Sequence, residues 1–196
     1  MTAGKKITIA ATAVFIVCII GFLIIAFPWW LIAAGSWLAP NPPRPEITYA
    51  EFPFSLTYEI NGEAKVIEDV IICEFDGFEM SNGGSKYRKW TSRLKSGNEE
   101  IILLDLTANN EINEVGYTML HLFFNWGTPA HYMGDLEHYN CRPVQGFEWV
   151  EYKYQTTDGT VGGSAYKADV AYEKYKIKLI EWEIAEPIKN RFDGIN

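Results

Sequence analysis

The chain has 196 residues, with 25 acids against 17 bases and a formal net charge of −8. An acidic surface repels phosphate backbones and anionic headgroups, which excludes nucleic acid as a partner and adsorption to lipid through bulk charge. Lys5 and Lys6 precede every acid, so the remainder carries 15 bases (17 less these two) against all 25 acids, a net of −10.

The first predicted element is a transmembrane helix over residues 7–28 behind a cytoplasmic N-terminus, residues 1–6. The 21 residues Ile7–Phe27 carry no charge, and their only polar side chains are Thr8, Thr12 and Cys18. At about 1.5 Å per residue the run spans roughly 30 Å, the depth of a bilayer's hydrocarbon core. Pro28 is expected to end it. Trp29, Trp30 and Trp37 follow, suited to the headgroup level in an interfacial extension to about residue 39. The basic pair lies before the span and the next base is Arg44. The positive-inside bias therefore predicts a single-pass protein of the cell membrane, with its C-terminal part extracytoplasmic. A cleaved leader has an apolar core of only about 7–15 residues, so the run reads as a retained anchor.

Residues 40–46, with Pro40, Pro42, Pro43 and Pro45, form a short stiff stalk. Residues 47–196 then suffice for one domain, and its periodicity is that of strands. Phe54, Leu56, Tyr58 and Ile60 alternate with polar residues, and Asn61-Gly62 is the signature of a type I′ hairpin turn. Val66–Phe75 is apolar on both faces, as in a strand covered on two sides. Asp76-Gly77 and Asn82-Gly83-Gly84 mark a loop. A second hairpin is predicted from Tyr87 to Leu106, turning at Ser96-Gly97-Asn98, with Trp90 and Leu94 facing away from Lys89, Thr91, Arg93 and Lys95.

Further strands are expected at Val115–Phe124 and Phe147–Tyr154, with a short helical turn opened by Thr128-Pro129 between them. Gly162-Gly163 reads as a loop and Ser164 as the N-cap of a helix reaching Tyr175. In the last strand, Lys176–Ile184, the apolar phase slips near Leu179, which predicts a bulge. The fold class is a single transmembrane helix plus a mainly-β ectodomain, β-sandwich-like or a curled antiparallel sheet, with one or two short helices.

Chemical signals are sparse. The loop-rich stretch 126–143 gathers Trp126, His131, Tyr132, Asp135, His138 and Tyr139, which are the candidate binding residues. Their spacing matches no helical His-x-x-x-His or other ligand pattern, so no metal and no cofactor is expected. There is no Gly-x-Ser-x-Gly and no phosphate loop, and no catalytic residue is assigned. Cys73 and Cys141 are an even pair beyond the membrane that a disulfide could join. Lys86, Arg88, Lys89, Arg93 and Lys95 form the basic patch of the domain, read as a strand face paired with neighbouring acids. The expected function is a membrane-anchored extracytoplasmic binding module without catalysis, held in the lipid bilayer through residues 7–28 and meeting a protein or a cell-envelope polymer. A hydrolase using the His/Asp loop, or a structural subunit of a membrane complex, are the alternatives.

Overall fold

The computed structural model describes residues 3–81, 84–107, 116–144 and 148–192. The chain forms two units, Met1–Pro42 with Phe78–Arg88, and Pro43–Gly77 with Lys89–Asn196.

In the first unit α1 (Ala3–Leu38) is one helix of 36 residues with Pro28 inside it. The expected break at Pro28 does not occur. Proline forfeits the bond to the Ile24 carbonyl, yet extending an existing helix is far easier than nucleating one, and the apolar segment beyond it continues the ladder. Every described large apolar side chain from Phe15 to Leu31 is at least 42% exposed. The side chains of residues 7–14 lie outside the described set, and among the described residues no helix is long and apolar enough to cross a membrane. Near its C-terminal end, Trp37 accepts a 3.1 Å hydrogen bond on its carbonyl from Lys86 Nζ.

The remaining elements are β1 (Tyr49–Ile60), β2 (Glu63–Met80), β3 (Lys86–Leu94), β4 (Ile101–Asp105), β5 (Tyr117–Phe124), α2 (Pro129–Tyr132), β6 (Trp149–Thr156), β7 (Val161–Lys167), α3 (Ala168–Tyr175) and β8 (Ile177–Ile184). The protein is mainly β, with two four-stranded antiparallel sheets of order β3-β2-β1-β8 and β4-β5-β6-β7.

β1 forms as its alternation predicts. Phe52, Phe54, Leu56, Tyr58 and Ile60 are at most 7% exposed, each contributing roughly 1.5–3 kcal/mol through burial. Asn61 and Gly62 hold φ of 55° and 85° in the turn to β2, as a type I′ geometry requires. In β2 only Ile71, Ile72 and Cys73 are buried in succession; Val66, expected inside, is 58% exposed. Opposite β8 the register shifts between Thr57, paired with Glu181, and Tyr58, paired with Leu179. Ile180 is the extra residue, so the phase slip is a bulge.

Several expectations are corrected. Ser96-Gly97-Asn98 does not close a hairpin: β3 and β4 lie in different sheets, and the turn carries the chain across the core. Both strands need an apolar face inward, and that demand is met equally well from opposite sheets. Asp76-Gly77 lies within β2. Gly162 and Gly163 belong to β7, and α3 starts at Ala168 with Lys167 at its N-cap instead of Ser164. The Tyr154 ring lies across Gly162, where a Cβ would come within 2.5 Å of it; the glycines therefore serve strand packing. Asn82, Gly83, Val115 and Phe147 lie outside the described residues.

One core joins the two sheets. Trp182 on β8 meets Phe54 at 4.8 Å and Phe124 of the opposite sheet at 4.7 Å between ring centroids. Of the five bases read as a solvated strand face, three are paired with acids as expected: Lys89 with Asp76 at 2.8 Å, Arg93 with Glu74 at 3.2 Å and Lys95, just past β3, with Glu51 at 2.9 Å. Arg88 is buried instead, because its side chain alternates to the inner face with Trp90. Exposed pairs of this kind add at most about 1 kcal/mol each.

Candidate functional site

The stretch 126–143 leaves β5 and returns to its own starting point, as an Ω-loop does. Its neck is closed by three bonds. Thr128 N–H donates to the Arg142 carbonyl at 3.0 Å, Thr128 Oγ1 to the same oxygen at 3.2 Å, and Arg142 N–H to Thr128 Oγ1 at 2.9 Å. Thr128 is at the N-cap of α2, but its hydroxyl is used at the neck and makes no cap bond.

A strap from the C-terminal segment holds the loop from outside. Ile188 N–H donates to the Tyr132 carbonyl at 2.9 Å. Gly134, at φ +70°, lies directly beneath the Ile188 carbonyl oxygen, with no space for a Cβ. Further along, Asn190 takes the Ile47 N–H at 3.0 Å and donates to the Ile47 carbonyl at 2.8 Å, while Glu46 N–H donates to the Arg191 carbonyl at 3.0 Å. One segment thus ties the candidate loop to the start of the domain. Pro45, assigned to the stalk by sequence, is buried and belongs to this folded region.

The six candidate residues separate into two sets. Tyr132 and Asp135 face inward, each 1% exposed. Tyr132 packs on Phe52 at 5.2 Å and donates its hydroxyl proton to the Trp126 carbonyl; burial pushes its phenol well above the ordinary range. Asp135 accepts a 2.9 Å hydrogen bond from Trp90 Nε1. Of the three aromatics expected from the sequence to be partly exposed (Trp126, Tyr132 and Tyr139), Trp126 is half-buried against the core as expected, whereas Tyr132 is wholly buried. Tyr132 and Asp135 are therefore committed to holding the loop, because an isolated carboxylate or phenol at such depth requires internal partners.

In the second set Tyr139 faces out, while His131 and His138 are half-buried. Tyr139 is 72% exposed, as is Leu136, which the sequence did not single out. His138 stacks beside Tyr139 at 4.8 Å, and its Nδ1 accepts the Asn140 N–H at 3.1 Å. His131 sits edge-on to Tyr132 at 5.5 Å, and burial holds its pKa below the ordinary 6.5. Among the described residues no group of three or more His, Cys, Asp or Glu side chains could hold a metal ion.

Cys73 and Cys141 are separate free thiols in the structure. Burial pushes the Cys73 thiol up to about 12. Desolvation, and then the Asp135 carboxylate, raise that of Cys141.

Sequence reasoning also passed over a cleft of about 330 Å3 lined by Glu148, Trp149, Lys167, Ala168 and Asp169. Trp149 is more exposed than Trp126, at 37%, because it points outward from β6 while its neighbour Val150 enters the core. No protein-family model, curated protein or solved structure matches the chain.

Proposed function

We propose that this chain is a single-pass membrane protein whose β domain is an extracytoplasmic binding module, with the apex of the 126–143 loop as its contact. The observation that carries the binding role is the pairing of Leu136 and Tyr139, each 72% exposed, on a loop closed at its neck and strapped to the domain. Large apolar side chains held in place on a rigid scaffold lose little entropy on docking, and that favours protein recognition. The anchor rests on the uncharged run Ile7–Phe27 and on an apolar surface exposed around the helix from Phe15 to Leu31, the pattern of a helix that lipid surrounds.

Two experiments test the two parts. A single cysteine placed at Ser96, in a background with Cys18, Cys73 and Cys141 all changed to serine, should react with an impermeant maleimide on intact cells. Reaction only after lysis would overturn the topology. A photo-reactive side chain at Tyr139 of the full-length protein should yield a discrete cross-linked protein adduct in its native membrane, and the same probe at exposed Lys65 should not. Equal or absent adducts at both positions would remove the loop apex as the contact.

A further inference from the structure

We infer that the cleft beside Trp149 is a binding site for a neutral saccharide, separate from the loop apex. Trp149 and Lys167 are cross-strand partners where β6 begins and β7 ends. Val150 is buried, so the strand alternation turns the Trp149 indole outward into the cleft. Glu148 precedes it, and Asp169 follows Lys167 in the first turn of α3.

Among the described residues, the charged groups around this indole are largely uncommitted. Elsewhere on the domain surface Lys89, Arg93, Lys95 and Lys153 each hold a carboxylate within 3.2 Å. Among the described residues Lys167 and Glu148 make no ion pair and no side-chain hydrogen bond, although they line the same cleft. Asp169 uses one oxygen, Oδ1, to accept the Val170 N–H at 2.8 Å, and its second oxygen remains available. The cleft therefore offers one flat aromatic face, one ammonium donor and two carboxylate acceptors.

That combination selects by chemistry. An anionic ligand would meet two carboxylates, and a cationic one, although drawn by them, would be repelled by the Lys167 ammonium and leave it without an acceptor. A neutral pyranose meets neither penalty. Its C–H face carries partial positive charge and suits the negative face of the indole ring. Its hydroxyls need both donors and acceptors around the rim, which Lys167 and the two carboxylates supply. A volume near 330 Å3 is at the small end of ligand sites and fits one or two sugar rings of a longer chain.

The test uses the full-length protein in lipid nanodiscs, since glycoside detergents would compete. Saturation-transfer NMR with N-acetylchitohexaose and with cellohexaose should place the strongest transfer on pyranose ring C–H protons for at least one of them. Trp149→Ala should weaken that binding by about tenfold or more, equivalent to roughly 1.4 kcal/mol. Lys167→Ala and Glu148→Gln, which leave the indole in place, should weaken it less. Tyr139→Ala should not change it, which separates this site from the loop apex. Absence of transfer to either neutral oligomer at millimolar concentration would overturn the inference, and so would transfer unchanged by Trp149→Ala in a variant that melts like the wild type. Stronger binding of a glucosamine or galacturonate hexamer would overturn the assignment to a neutral ligand.

Discussion

Trp90, on β3, donates its indole N–H to Asp135 of the candidate loop over 2.9 Å, and both groups are buried. The bond crosses 45 residues of sequence and fastens the loop to the sheet beneath it. Trp90 is itself held edge-on by Phe75 at 5.4 Å. Asp135→Ala would leave the indole N–H without this acceptor in the core and is expected to cost about 2–3 kcal/mol, while Asp135→Asn, which retains an acceptor oxygen, should cost less. Thermal unfolding of the two variants checks the order; equal losses would mean that the bond contributes little.

Gly134 provides a second test of the loop's fastening. A Cβ there would collide with the Ile188 carbonyl, and φ of +70° is strained for alanine. Gly134→Ala should destabilise the domain by about 2–4 kcal/mol. Because the collision is with the strap, residues 185–192 should also become sensitive to limited proteolysis before the sheets do. Mass spectrometry of the digest would read this directly.

The His131 imidazole predicts a pH dependence. Its folded pKa lies below 6.5 through burial, so the unfolded chain binds the proton first as pH falls. Above pH 6.5 the residue is neutral in both states and contributes no pH dependence. Below it, stability falls until the folded pKa is reached. His131→Gln removes this penalty, so stability relative to wild type should shift in the variant's favour as pH is lowered from 7 towards 5. Urea midpoints measured across that range would show it; a constant offset would contradict it.

Cys73 should be chemically silent in the folded protein. With its thiol pushed up to about 12 and its side chain fully buried, almost no thiolate exists at pH 8. Labelling by a maleimide should therefore follow global unfolding, whereas half-exposed Cys141 should react first. Simultaneous labelling of the two would show that the core around β2 opens locally.

Much of the fold is legible in the residues. The alternation from Phe52 to Ile60, the Asn61-Gly62 turn and the slip that becomes the Ile180 bulge are local signals, read correctly because strand period and turn chemistry depend on near neighbours. Sheet membership is different. Ser96-Gly97-Asn98 has the composition of a hairpin turn, but nothing within it specifies whether β4 returns to β3 or crosses to pair with β5. Gly162-Gly163 likewise resembles a loop until the Tyr154 ring is placed over it from the neighbouring strand.

The candidate site divides in the same way. The sequence by itself located the aromatic and His-containing loop 126–143, because glycine, proline and polar residues interrupt the strand period there. Only the tertiary structure decided that Tyr132 and Asp135 are anchors, that Leu136 and Tyr139 form the exposed apex, and that Trp149 stands outside the core beside Lys167. Those assignments depend on which surface each side chain meets. For Asp135 that surface is supplied by Trp90 of β3, 45 residues away in sequence, and burial against so distant a partner leaves no periodic trace in the chain.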